Sequence, residues 1–389
     1  MNVSGIITEY NPFHSGHRWQ IDQTRRLLGA DTAVVCVMSG NWVQRADCAI
    51  LDKWRRAELA VLGGADLILE LPTPWAISSA EGFARGAVGL LAATGVVETL
   101  SFGSEAGELA ALEAAAATLD GPDYPAALRQ ALNRGLSFAA ARQEAVRALI
   151  GPAADCLSHP NNNLAVEYLR ALPHGMRAVT VPRAGAGHDQ SPAGGFASAS
   201  WLRAQLRDGA WDRAAPYLTR PWSGEVADLA RCERAILARL RSMTLEEAEA
   251  LPDSGDGLAA RLLAAGKAAR SLDELYTLIK TRRYAHARVR RLVLWAFLGL
   301  QAADRTERAP YLRVLAMNDR GRIVLREMWK HAGLPILTKP AHVRQLSPQA
   351  LRLFELEAQC TDLFELCLPE IRPGGREWTT SPIVCCDTP

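Results

Sequence analysis

The quartet His14-Ser15-Gly16-His17 delivers two imidazoles, three residues apart, directly after the run Gly5-Ile6-Ile7-Thr8-Glu9-Tyr10-Asn11-Pro12-Phe13. Residues at i and i+3 share a face of a helix, so the pair can act on one ligand. Two chemistries are open to it. One is a metal pair, for which no third ligand is evident nearby. The other is a pair of hydrogen-bond donors to a phosphate and to the charge developing on its bridging oxygen. Such bonds strengthen most in the transition state and so accelerate a reaction as well as bind. Gly16 would let a phosphate approach the backbone closely.

The surrounding elements have to place this pair. Residues 3–7 read as a short buried strand, 11–12 as a turn, and 17–29 as a helix with Ile21, Thr24, Arg25 and Leu28 at helical spacing. An anion between loop and helix would meet free backbone N–H groups and the positive end of the helix dipole. Further strands are expected over 32–38, 66–71 and 96–102, with helices near 52–63 and 78–93 between them. This alternation predicts a parallel α/β sheet. Ligands of such sheets sit at the carboxyl ends of the strands, where the sequence puts Glu9-Tyr10-Asn11, Ser39-Gly40-Asn41 and Gly103-Ser104-Glu105. Lys53, Arg55 and Arg56, on the second expected helix, read as a solvated basic face.

An Ala-rich helical stretch is expected over 107–150, a linker over 155–160, a helix over 161–172 and a fifth strand over 176–181 that leads to Arg183. Residues 184–200 form a Gly/Pro/Ser-rich loop, and loops of that length in a compact domain are commonly functional. A helix begins near Ser200. From 220 onward the pattern is mostly helical, with a strand-helix-strand candidate at 311–317, 321–331 and 336–338. The expected division is a nucleotide-binding domain over 1–210 and a helical, basic region over 220–389.

With 389 residues the chain is long enough for two or three domains. It opens without a charged and apolar leader, and no apolar run approaches 18 residues, so a soluble cytoplasmic protein is expected. Eight cysteines without a C-x-x-C pair read as reduced thiols. The net charge of +2 hides an uneven distribution: residues 1–120 hold 8 Lys/Arg against 14 Asp/Glu, whereas 280–344 hold 15 against 4. A polyanion would therefore dock on the later part. Its densest segment carries Lys280, Arg282, Arg283, Arg288, Arg290 and Arg291 with no acid among them. Such crowding repels itself unless phosphates neutralise it, which favours an RNA-backbone surface over a solvated helix face.

The quartet resembles the HxGH motif of the nucleotidyltransferase superfamily. With Met38-Ser39-Gly40-Asn41-Trp42-Val43-Gln44-Arg45, Asp66-Leu67-Ile68-Leu69-Glu70-Leu71-Pro72 and Phe102-Gly103-Ser104-Glu105 in that order, the chain resembles the tRNA(Met) cytidine acetate ligase family. The resemblance implies a Rossmann-like, nucleotidyltransferase-type parallel sheet followed by a mostly helical region. It also implies that acetate and ATP form acetyladenylate, from which the wobble cytidine of elongator tRNA(Met) is acetylated. His14 and His17 would be catalytic, and magnesium would accompany the triphosphate. ATP would be held by Ile7, Thr8, Glu9, Tyr10, Asn11, Pro12, Phe13, His14, Ser15, Gly16, His17, Arg18, Trp19 and Gln20, together with Gly103, Arg183 and an asparagine of the P-N-N segment. Both Asn161 and Asn162 are candidates, because Asn163 stands where the family has a branched apolar residue; a plain helix cap is the duller reading of this segment. Gly187 replaces the aromatic residue that the family places before His188-Asp189. Arg45, in a stretch poor in cations, would touch triphosphate or tRNA. No membrane or protein partner is evident. The rival readings are an adenylyltransferase acting on a small phosphorylated coenzyme precursor and a non-catalytic RNA-binding protein.

Overall fold

The computed structural model describes residues 1–105, 107–183, 192, 194–220, 222, 224–281 and 284–386. Ten strands appear in chain order: β1 (Val3–Thr8), β2 (Ala33–Ser39), β3 (Trp42–Val43), β4 (Asp47–Cys48), β5 (Leu67–Leu71), β6 (Thr99–Ser104), β7 (Arg177–Pro182), β8 (Leu312–Met317), β9 (Ile336–Leu337) and β10 (Ile383–Val384). Eight of them form one sheet in the order β10-β8-β5-β2-β1-β6-β7, with β9 also paired to β8, while β3 and β4 make a separate hairpin. The core pairs β1–β2, β2–β5, β1–β6 and β6–β7 are parallel, as the strand-helix alternation predicts.

Successive side chains of a strand point to opposite faces, and both faces here are covered. Val35 and Val37 of β2 enter one core with Phe83, Val88 and Leu91, whereas Val34, Cys36 and Met38 enter another with Ile21, Trp54 and Leu202. The helices concerned are α1 (Ser15–Leu28), α2 (Lys53–Leu62), α3 (Ala80–Ala93), α4 (Pro160–Ala171) and α5 (Ala199–Arg207). Burial on both sides is why β2 reads as an unbroken apolar run instead of an alternating one. A third core belongs to later helices, including α6 (Leu272–Ile279), α7 (His286–Leu298) and α9 (Pro348–Glu365), and takes in Trp42 and Cys48 of the hairpin.

The strand-helix-strand candidate near 311–338 is present as β8, α8 (Asp319–His331) and β9, but it joins the main sheet. There β8 runs antiparallel to β5, with a register shift at Ile68/Leu69. The stretch over 107–150 is three helices, and the expected linker over 155–160 lies mostly in a 3-10 helix, Gly151–Ser158. No helix among the described residues is long and apolar enough to cross a membrane.

The reading of α2 as a solvated basic face is corrected. Lys53 and Arg56 are each 0% exposed. The Lys53 ammonium lies 2.6 Å from Glu70 and 2.6 Å from Glu377, and Arg313 stands 3.5 Å from the other oxygen of Glu377. Burial opposes the charge on Lys53, but Glu377 and Glu70 outweigh it and raise its pKa. Burial and the nearby Glu70 push the Glu357 carboxyl up to about 8, which disfavours a further negative charge beside Glu70 and Glu377. Removing one partner of a buried pair strands the others. Lys53→Met is therefore expected to lower stability by about 3–5 kcal/mol, measured as a fall in the urea midpoint; an unchanged midpoint would show that the cluster contributes nothing net.

Candidate active site

α1 begins inside a cleft of about 360 Å³ at the carboxyl ends of β1 and β6. His14 is its N-cap, with extended backbone (φ −144°, ψ 174°). The Gly16 N–H donates to His14 Nδ1 (3.1 Å), and the His14 N–H donates to His17 Nδ1 (3.3 Å). Each histidine thus does what Ser and Glu do in an ordinary capping box. Because both Nδ1 atoms accept, the proton of each neutral ring sits on Nε2, which is the donor left for a ligand. The rings stack at 3.8 Å and 26°, and Tyr10 meets His17 edge-on at 4.8 Å. Burial, then Arg183 and Arg203, lower the His14 pKa to about 3. His17 is also held well below its ordinary value, by burial, His14 and Arg183. Among the described residues no third ligand completes a metal site. A Cβ at Gly16 would lie 2.9 Å from His14 Cε1, so the group that needs closeness at Gly16 is the His14 ring itself.

The rest of the N-terminal segment divides sharply. Ile7, Thr8, Glu9, Tyr10, Asn11, Trp19 and Gln20 line the cleft with the histidines and Gly16. Pro12 and Phe13 are buried behind it and Arg18 is exposed, 3.8 Å from Asp22. Ser15 turns its hydroxyl to the Gly195 carbonyl (3.4 Å). Glu9 Oε1 accepts the Gln44 N–H (2.7 Å), which brings Gln44 and Arg45 of the hairpin to the cleft wall. Burial raises the pKa of Glu9, against its bond to Gln44 and the nearby arginines.

Gly103 and Arg183 also line the cleft, and the Arg183 N–H donates to the Ser104 carbonyl (3.0 Å). A Cβ at Gly103 would make only ordinary contact, 3.6 Å from Arg183 Cγ; the room it preserves faces the cleft. The P-N-N segment opens α4, and its three amides separate. Asn161 lines the cleft while its Nδ2 donates to Glu105 Oε1 (2.8 Å). A carboxylate only accepts, so the amide orientation of Asn161 is set, which leaves its carbonyl oxygen and second N–H for a ligand. Asn162 is buried and accepts the Glu105 N–H (3.1 Å); Asn163 also borders the cleft, with its Nδ2 donating to the carbonyls of Leu157 and His159.

Sequence reasoning expected a helix near Ser200, which is α5, but missed the part its residues take in the site. Its first turn carries Ser198, the N-cap, and Ser200, and its second carries Arg203; all three line the cleft. Arg203 donates to the Asn11 carbonyl (2.8 Å). The available signal was Ser198-x-Ser200-x-x-Arg203 at a helix start directly after a Gly-rich loop.

The basic segment is less free than its charge suggests. Lys280 donates to the Tyr284 carbonyl (2.8 Å), Arg288 to the Asp253 carbonyl, and Arg290 to the Ala46 carbonyl (3.4 Å). Burial lowers the pKa of Arg291. Arg282 and Arg283 lie outside the described residues.

On folding, the His14 pKa drops from its ordinary 6.5 to about 3. Below about 6.5 the unfolded chain takes up a proton that the folded chain refuses. Stability from this source is therefore full above that pH and is lost as pH falls toward 3. His14→Asn is expected to flatten the decline between pH 6.5 and 4, read as urea midpoint against pH; parallel curves would mean that His14 protonates without cost in the folded protein.

A family model described as HIGH Nucleotidyl Transferase matches residues 1–377. The tRNA(Met) cytidine acetate ligase of Acetivibrio thermocellus is 32% identical over 415 residues, covering 99% of this chain and 100% of that protein. The one from Syntrophotalea carbinolica is 37% identical over 410 residues, covering 97% of each. Among solved structures, apo TmcAL of Thermotoga maritima superimposes with a TM-score of 0.92 at 29% identity, and the same protein bound with alpha-thio ATP with 0.90 at 28%; each comparison covers 99% of this chain and 100% of the other.

Proposed function

The chain belongs to the HIGH nucleotidyl transferases and, within them, to the tRNA(Met) cytidine acetate ligases, and from that membership we propose how its own residues carry the reaction. It is an ATP-dependent tRNA cytidine acetate ligase. An acetate oxygen attacks the α-phosphorus of ATP, the bond to the bridging oxygen breaks, and pyrophosphate leaves. The cytidine N4 amine then attacks the acetyl carbon of the mixed anhydride, giving N4-acetylcytidine and AMP. A free carboxylate is too poor an acyl donor for an aromatic amine, which is why ATP is spent.

The observation that carries this reading is the pair of neutral, mutually capped histidines. With both Nδ1 atoms committed to backbone N–H groups, His14 and His17 offer Nε2–H donors to the α-phosphate and to the oxygen that departs with pyrophosphate. Arg183 and Arg203, on opposite elements of the cleft, supply the fixed positive charge for the β- and γ-phosphates. Ser198 and Ser200, at the start of α5, suit the same anion. The Asn161 carbonyl accepts from a donor of the nucleoside. Among the described residues the cleft has no cluster of metal donors, so magnesium would come with the triphosphate, where it spreads the charge of the departing pyrophosphate. The acidic 1–120 part serves activation and the basic part after 280 serves tRNA docking, although the sheet crosses the expected boundary near 210–220, since β8, β9 and β10 belong to it. Such an enzyme works in the cytoplasm. A coenzyme-precursor adenylyltransferase would leave the match beyond residue 210 without a purpose, and a non-catalytic RNA-binding protein would have no use for the histidine pair.

His14→Asn keeps an acceptor for the helix cap and deletes the Nε2–H donor. Acetate-dependent ATP–pyrophosphate exchange is expected to fall about 10²–10³-fold, with ATP binding weakened far less. Exchange at the parental rate would remove the histidine from the mechanism. Arg183→Lys and Arg203→Lys keep the charge and lose the planar fork, so each should weaken ATP binding by roughly 1.5–3 kcal/mol in calorimetry. Parental affinity in either variant would take that guanidinium off the phosphates.

A further inference from the structure

A second cavity, about 500 Å³, shares two walls with the ATP cleft. The hairpin gives Arg45 to the cleft and Asp47 to the cavity; α5 gives Arg203 to the cleft and, one turn on, Arg207 to the cavity. Four residues of helix separate those arginines by about 6 Å along the axis. The opposite wall is α6 and the start of α7, where the basic segment begins.

The cavity lining has two distinct features. The Tyr276 and His286 rings meet edge-on at 5.8 Å, and the Arg290 guanidinium stands over Tyr276 at 5.8 Å. Flat aromatic and guanidinium surfaces of this kind stack unpaired nucleobases. The charge is the second feature. Asp47, Asp228, Glu233 and Asp273 oppose only Arg207 and Arg290, which repels a phosphate and suits a neutral ring bearing amino donors. Three of the carboxylates are already anchored: Asp47 by Arg207 (3.3 Å), Asp228 by the Ala230 N–H (3.1 Å) and Glu233 by the Leu272 N–H (2.9 Å). They are thus held as rigid acceptors. Arg207 Nε and Arg290 Nε are buried with no acceptor among the described residues, a cost that a polar ligand in the cavity would offset.

We propose that this cavity seats one unpaired nucleobase of the RNA substrate, the neighbour of the cytidine that enters the ATP cleft. The base stacks on the Tyr276 and His286 surface and gives its amino protons to the carboxylates, while its phosphates stay outside on the basic segment. The assignment rests on the cytidine acetate ligase reading. It makes the cavity a reader of sequence, since the basic segment grips any RNA backbone alike.

Two full-length variants test it. Tyr276→Leu keeps apolar volume and loses the ring; Tyr276→Phe keeps the ring. With tRNA and labelled acetate, Tyr276→Leu is expected to raise the tRNA KM about tenfold or more, and Tyr276→Phe to retain the parental value. Acetate-dependent ATP–pyrophosphate exchange without RNA should be parental in both. An anticodon-loop RNA made abasic beside the acceptor cytidine should bind the parent worse and lose nothing further with Tyr276→Leu. Unchanged KM in Tyr276→Leu, equal abasic losses in parent and variant, or loss of exchange together with acetylation would each overturn the assignment. Absence of acetate-dependent exchange in the parent would instead overturn the activity from which it starts.

Discussion

One buried guanidinium gathers the loops on which the active site is built. Arg56 donates through Nε to the Leu51 carbonyl (3.0 Å), through Nη1 to the Glu9 carbonyl, and through Nη2 to those of Ser39 (3.0 Å) and Gly40. Among the described residues it forms no ion pair within 4 Å, although Glu9, Asp52 and Glu70 lie near enough to support its charge. Burial lowers its pKa to about 10, against Glu9, Asp52 and Glu70, so it remains charged at pH 7 and four carbonyl dipoles share the charge. The ends of β1 and β2 and the entry to α2 therefore hold one arrangement. Losing the guanidinium would leave buried carbonyls unpaired, at about 1–3 kcal/mol each. Glu9, fixed by its own carbonyl, then presents its carboxyl to the Gln44 N–H, and the hairpin inherits its position.

The same economy explains why the histidines are neutral. Two imidazolium rings stacked at 3.8 Å beside Arg183 and Arg203 would repel strongly in a buried site. With neutral rings, the arginines carry the positive charge and the histidines carry direction. Directed donors matter most where charge moves during a reaction, and fixed charge matters where it is already present on the ground-state triphosphate. The tautomer needed for this is imposed by the backbone through the capping bonds.

Much of this frame was legible in the sequence, because the central strands and their helices are local patterns: β1, β2 and β5 fall where apolar runs place them, and β6 starts three residues later and ends two residues later than expected. What could not be read depends on partners far away. Lys53 looks solvated until Glu377, more than three hundred residues later, is known to meet it. Arg56 likewise finds its acceptors across three loops. β10 has two residues, too few for any periodic signal, and it exists only because β8 offers an edge. The Asn161/Asn162 ambiguity has the same origin: both amides suit a helix start, and only the position of Glu105 decides which one faces the cleft. Gly16 shows the same dependence on context: it lines the cleft, and the sequence alone does not show that the His14 ring also packs against it.

The hairpin is where the two halves of the reaction have to meet. Trp42 is sealed into the helical core, with its Nε1–H on the Cys360 carbonyl (2.9 Å), while Arg45, three residues on, lines the ATP cleft. Arg290 of the basic segment reaches the carbonyl of Ala46, the residue after Arg45. A polyanion is repelled by the acidic 1–120 part and drawn to the basic part after 280, so its approach to the cleft leads over this hairpin. An acyl-adenylate is open to attack by water as well as by an amine. If RNA docks on the basic segment as proposed, a wall shared with the activation cleft would shorten the interval in which water can compete, because the amine would arrive at the edge of the pocket where the anhydride is made. That arrangement needs the hairpin held in place, and Trp42 on the Cys360 carbonyl and the Gln44 N–H on Glu9 are the bonds that hold it.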